Sequence, residues 1–171
     1  MRYSAQLLLV CGSLALAACT DPANLGGGAG DPGSAPTTPT IQPGSPQDPT
    51  SVAYFQQTIG DRVLFEVDQS SLTAQGQTIL DGQAAWLRRN LGFSAVIEGH
   101  ADEQGTREYN LALGARRADT VRNYLISQGI AGERLKVVSF GKERPAALCS
   151  EESCYAQNRR SVTVVAAGLS G

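Results

Sequence analysis

Residues 95–129 read AVIEGHADEQGTREYNLALGARRADTVRNYLISQG, and the change of periodicity inside this stretch decides the fold class. Ala95 to His100 reads as a strand. Thr106 is a helix N-cap, and from there to about Gln128 the residues Leu111, Ala115, Ala118, Val121 and Leu125 recur along one side of a helix. Gly129 ends it, because glycine takes the left-handed conformation of a helix stop without steric cost. Outward from this unit the pattern repeats. Arg62 to Val67 (RVLFEV) alternates as an earlier strand, and Thr73 caps a helix reaching about Asn90 with Leu80, Ala84, Leu87 and Leu91 on one face, although Gly76 and Gly82 weaken it. Leu135 to Phe140 and Ser161 to Ala166 are further strands, separated by a long segment holding Pro145, Cys149 and Cys154. The order is β-α-β-α-β-β. Crossover helices after the first two strands predict parallel pairing there, in a two-layer α+β sandwich with a mixed sheet.

The region before this domain has a different composition. Arg2, an apolar run from Leu7 to Ala18 and small residues ahead of Cys19 read as a signal peptide over residues 1–18, since about 12 apolar residues are too few to span a bilayer. Leu16-Ala17-Ala18-Cys19 looks like the lipobox of bacterial lipoproteins, which implies diacylglycerol and an N-acyl lipid on Cys19; Thr20 after it favours the outer membrane. Residues 20 to 53 hold seven of the eight prolines, six glycines, no Lys or Arg and no aromatic residue. Such a segment cannot build a core, so residues 19–53 are expected to be a lipidated, disordered tether and residues 54–171 the domain.

Charge excludes one class of function. From residue 54 onward Lys and Arg number 13 and Asp and Glu number 13, so nothing predicts nucleic-acid binding, which needs a basic excess. Enzyme chemistry has little support. Glu98 and His100 share a strand face, and a carboxylate-histidine pair could polarise a nucleophile, but no GxSxG or HExxH motif supplies one, and the single histidine lacks companions for a metal site. His100 is therefore expected to be a packed, hydrogen-bonded residue. No catalytic residue, metal or cofactor is predicted apart from the lipid on Cys19. Asp102 and Arg117 are the other candidates. Asp102 lies in the loop, and Arg117 lies about 15 Å along the following helix with its side chain leaning back toward it. Two arrangements fit: an ion pair that fixes the loop, or an anion and a forked cation that receive the ammonium and carboxylate of a zwitterion.

GHADEQGTREYNLALGARRADTVRNYL, with VLFEVD upstream and SFGKERP and NRRSVTV downstream, closely resembles the peptidoglycan-associated lipoproteins of the Tol-Pal system, within the OmpA-like C-terminal domain family. The resemblance covers residues 62 to 166. It implies non-covalent binding to the meso-diaminopimelate of peptidoglycan, with Asp102 and Arg117 as the gripping positions and Phe65, Asp68, Asn110, Arg159 and Arg160 around the pocket. It also implies an antiparallel last strand, partnership with TolB and other Tol-system proteins, and a role in envelope integrity and cell division from the outer membrane. The segment ALCSEESCYAQN departs from commoner members. Its cysteines could form half a metal site with His100, but a C-x4-C pair in an oxidising periplasm is more simply a Cys149–Cys154 disulfide that stiffens the loop before NRR.

Overall fold

The computed structural model describes residues 41–168. The expected signal peptide, the lipidated Cys19 and tether residues 20–40 lie outside the described residues. The tether was expected to run to residue 53, but residues 41–53 fold onto the domain. The Asp48 carboxylate accepts the backbone N–H groups of Gly44 and Thr50 and the Thr50 hydroxyl. Ser51 is buried; its hydroxyl donates to the Ser45 carbonyl at 2.7 Å and accepts the Tyr54 N–H at 2.9 Å. The Trp86 indole N–H donates to the Pro49 carbonyl at 2.8 Å. A proline lacks a donor but keeps its acceptor, and here that acceptor satisfies the N–H of a fully buried Trp.

The chain then forms α1 (Val52–Tyr54), a π-helical continuation (Phe55–Gly60), β1 (Arg62–Leu64), α2 (Ala74–Arg89), β2 (Phe93–His100), α3 (Arg107–Ser127), a 3-10 turn (Gly132–Arg134), β3 (Leu135–Gly141), α4 (Glu152–Asn158) and β4 (Arg160–Ala167). The two long helices start where the sequence places them: Thr73 Oγ1 accepts the Gly76 N–H at 3.0 Å, and Thr106 Oγ1 accepts the Tyr109 N–H at 3.2 Å. The short helices α1 and α4 were not predicted.

The α+β fold with a mixed sheet is as expected, but its strand order β1-β4-β2-β3 departs from the simplest crossover pattern. β2 and β3 pair in parallel, with Ile97 opposite Val137. β1 does not pair with β2. β4 inserts between them, antiparallel to both, with Val63 opposite Ser161 and Ile97 opposite Thr163. β1 and β2 therefore run the same way without touching, so crossover direction was legible and adjacency was not.

The core lies between the sheet and helices α2 and α3. Val63, Phe65, Ile97 and Val165 meet Leu80, Leu87, Val121 and Leu125, and the Trp86 ring sits 5.0 Å from Phe55 and 4.9 Å from Phe93. Leu91, expected on the buried face of α2, lies beyond its end and is exposed. In α3 the buried stripe is Asn110, Leu113, Gly114, Arg117, Ala118, Val121 and Leu125, whereas Leu111 is exposed and Ala115 only half-buried. A backbone contact sets this rotation. A Cβ on Gly99 of β2 would fall 1.8 Å from the Gly114 carbonyl oxygen, and one on Gly114 would fall 2.5 Å from Ser139 Oγ. The helix presses onto the strands at a glycine pair, and that turns the face carrying Asn110 and Arg117 inward.

Candidate functional site

The loop from β2 to α3 passes over a cleft of about 240 Å³ lined by Val67, Asp68, Asp102, Gln104, Gly105, Tyr109, Asn110 and Leu113. A larger hollow of about 310 Å³ lies beside β1, but Arg62 is its only charged group and none of the central predicted residues lines it. The smaller cleft is the one that gathers chemistry. Buried Asn110 holds its rim by donating from Nδ2 to the Gln104 carbonyl at 2.7 Å. Asp102 Oδ1 accepts the Gln104 N–H at 3.2 Å. Opposite, Asp68 takes a left-handed φ of 56°, and its Oδ1 accepts the Tyr109 hydroxyl. Asp is among the few non-glycine residues that adopt this conformation readily, and here it turns a second carboxylate into the cleft.

Arg117 lies behind this rim with no solvent exposure. Its guanidinium donates from Nε to the Gln69 carbonyl at 2.8 Å, from Nη1 to the His100 carbonyl at 2.8 Å and from Nη2 to the Glu66 carbonyl at 3.2 Å, and it lies 5.3 Å over the Phe65 ring. Burial pulls its pKa down to about 10; nearby Asp102 opposes that shift and the charge of Arg159 adds to it. Arg117 remains a cation at neutral pH.

The direct Asp102–Arg117 ion pair, one of the two predicted arrangements, does not form. The partner of Asp102 is Arg159, whose Nη1 lies 3.2 Å from Oδ2 and whose Nη2 binds the Glu152 carboxylate. Arg159 is itself buried and donates from Nε to the Phe65 carbonyl at 3.2 Å. The predicted set is therefore divided. Asp68, Asp102 and Asn110 line the cleft, with Arg117, Phe65 and Arg159 behind it. Arg160 lies elsewhere, donating to the Asn158 and Arg144 carbonyls beside Arg62 and Glu98. Arg159 is the C-cap of α4 while Arg160 opens β4, so no single element presents the two arginines together.

His100 is buried as expected, but neither ring nitrogen has a hydrogen-bond partner. Its Nε2 lies 3.6 Å from Glu98 Oε2, and its ring 5.5 Å from that of Phe140. Burial, with the charges of Arg160 and Arg144, lowers its pKa from 6.5 to about 4, so it is neutral at pH 7. Cys149 and Cys154 form a disulfide, which removes both sulfurs from any metal site with His100. Among the described residues no group of three or more His, Cys, Asp or Glu side chains is placed to hold a metal ion, and no helix is long and apolar enough to cross a membrane. Sequence reasoning missed Tyr109, Gln104 and Glu152. Tyr109 precedes a predicted site residue and was within reach. Glu152 lies 50 residues from Asp102, and no local pattern couples them.

The OmpA family profile matches residues 64–159. A protein of Rhizobium meliloti called peptidoglycan-associated lipoprotein is 48% identical over 90% of this chain and 82% of its own length. One of the same name from Brucella melitensis is 48% identical over 90% and 86%. The crystal structure of the peptidoglycan-associated lipoprotein from Burkholderia pseudomallei superposes with a TM-score of 0.63 at 38% identity, covering 71% of this chain and 98% of that one. The C-terminal domain of Helicobacter pylori MotB, at 19% identity and a TM-score of 0.59, shares the fold. With the profile spanning more than half its length and relatives at 48% identity over 90% of it, the chain belongs to the OmpA family, among the peptidoglycan-associated lipoproteins.

Proposed function

We propose that this protein is a lipid-anchored binding protein of the outer membrane that grips peptidoglycan without covalent attachment and ties membrane to wall. The ligand is the meso-diaminopimelate side chain of the stem peptide, and the anchor is the acylated Cys19. The observation that carries the reading is the pairing of cleft carboxylates with a buried cation behind them: Asp68 and Asp102 line the cleft, and Arg117 lies beneath the segment bearing the Glu66 and Gln69 carbonyls. The free end of diaminopimelate is a zwitterion. Its ammonium suits Asp102, with Asp68 across the cleft. Three of the five guanidinium N–H groups of Arg117 already bind carbonyls, which leaves one on each terminal nitrogen for a carboxylate. Reaching them requires the 66–69 turn to move aside. The relatives' names support the ligand class.

The reading is of a binder, not an enzyme. His100 is sealed from solvent, and its unpartnered nitrogens activate no nucleophile. By resemblance the protein also acts in the Tol-Pal system, with TolB and other Tol proteins as partners. Sedimentation of the detergent-solubilised full chain with purified sacculi, competed by free meso-diaminopimelate, tests the function. Co-sedimentation lost to the competitor is the expected result. Release of muropeptides would indicate a wall enzyme, and failure to sediment would refute the proposal.

A further inference from the structure

Beyond the end of β2, the side chains that hold the carboxylates of Asp102 and Glu103 come from one distant segment. Ser150 Oγ and Tyr155 OH both donate to Glu103 Oε1, at 2.9 and 2.8 Å. Arg159 Nη1 lies 3.2 Å from Asp102 Oδ2, and its other terminal nitrogen is held by Glu152. These partners are 47, 52 and 57 residues from the acids they hold. The segment is closed on itself twice. The Cys149–Cys154 bond joins residues just before and within α4. Asn158 then ties the other end back, its Oδ1 accepting the N–H groups of Ala146 and Ala147 at 2.7 and 3.0 Å and its Nδ2 donating to the Ala147 carbonyl at 2.9 Å.

The energetic need for such closure lies in Glu152. Its side chain is 65% exposed while that of Arg159 is 4% exposed. An exposed carboxylate gains little from an ion pair when holding it costs backbone and side-chain entropy. A bridge across the turn that carries Glu152 removes much of that entropy in advance. Arg159 is then fixed at one tine by Glu152 and at Nε by the Phe65 carbonyl, leaving Nη1 aimed at Asp102.

We propose that the bridged segment 149–159 is a positioning element of the ligand site: the disulfide fixes Glu152, Glu152 fixes Arg159, and Arg159 sets the orientation of Asp102 toward the ligand's ammonium. This rests on the reading of Asp102 as the ammonium acceptor. It assigns Glu152 and the two cysteines a role in affinity although none of them lines the cleft.

The test measures binding of free meso-diaminopimelate to the full chain by calorimetry, well below the melting temperature of every variant. Glu152→Gln, which leaves the bridge intact, is expected to weaken binding roughly 3- to 10-fold, and Cys149→Ser with Cys154→Ser to weaken it by about as much. Because the two act through the same arginine, the triple variant should lose no more than the worse of its parts. A merely structural bridge lowers the melting temperature and leaves affinity unchanged. If Asp102→Asn weakens binding roughly 30-fold while Glu152→Gln and the cysteine variant bind like wild type, the positioning role is refuted and the site stands. If Asp102→Asn itself binds like wild type, the site reading fails and this inference falls with it.

Discussion

At the residue scale, the two proposed gripping positions, Asp102 and Arg117, have unequal structural duties, and mutations should separate them. Arg117 satisfies three carbonyls, that of His100 in a buried bond and those of Glu66 and Gln69 in part-buried ones. Removing a partner from buried polar groups costs about 1 to 3 kcal/mol for each group left unsatisfied. Arg117→Lys keeps the charge but cannot reach three carbonyls at once, so it should lower unfolding free energy by about 3 kcal/mol as well as weaken binding, read by denaturant melts beside sedimentation. Asp102→Asn is the cleaner probe. It is nearly isosteric and keeps an oxygen for the Gln104 N–H, while Arg159 retains Glu152. Its fold should hold, and its affinity should drop by about 2 kcal/mol, roughly 30-fold, at the low end for a charge left unmatched. His100 gives a third expectation. Its folded pKa of about 4 lies below the ordinary 6.5, so the unfolded chain takes up the proton first as pH falls. The stability that neutral His100 contributes is complete above pH 6.5 and is lost progressively from there to about pH 4. Thermal melts of wild type and His100→Phe across that window should show the steeper loss in wild type; parallel curves would refute it.

At the element scale, α3 shows what a sequence reveals and what it hides. Its start, its length and its glycine stop were legible, because a capping hydroxyl and a left-handed glycine are local signals. Its buried face was misplaced toward Leu111 and Ala115, because hydropathy counts apolar residues and the true face carries Asn110, Gly114 and Arg117. The polar members of a buried stripe are what bring this helix to the candidate cleft, and they are what a hydrophobic pattern discards. The quoted motif drew attention to Asp102 and Arg117 as candidates, whereas Arg159 as the actual partner of Asp102 required the tertiary fold, with 57 residues between them. The insertion of β4 between β1 and β2 was hidden for the same reason, since strand adjacency is a long-range property. The glycine contact that rotates α3 gives the matching prediction. Gly99→Ala places a methyl 1.8 Å from a backbone oxygen that no rotamer change can clear. It should cost at least about 3 kcal/mol by overpacking and should impair binding by shifting α3. Denaturant melts with a sacculus pull-down check it, and a wild-type melt would show that the helix contact is softer than the backbone positions require.

At the scale of the whole molecule, the proposed function depends on a distance as much as on a cleft. Because residues 41–53 pack onto the domain, the chain joining Cys19 to the first packed residues is residues 20–40, shorter than composition alone suggested. A chain of 21 residues spans at most about 75 Å. An anchored domain bound to the wall holds the membrane within that reach, and effective concentration at the wall rises steeply once the chain can span the gap. Deleting residues 22–36 would cut the limit to roughly 20 Å. Such a chain should bind purified sacculi like wild type, because the deletion removes no residue of the cleft or of the packed segment. In cells it should crosslink to peptidoglycan far less, and an unrelated Gly-Ser stretch of equal length should restore the crosslink, since length and not sequence is the requirement. Cys19→Ala complements this: it should release the protein from the membrane fraction while leaving its affinity for sacculi unchanged. If the shortened chain crosslinks in cells as well as wild type, the wall lies within about 20 Å of the anchor and the tether does not set the spacing. If the Gly-Ser replacement fails to restore crosslinking, residues 22–36 contribute contacts of their own, and the segment is more than a spacer.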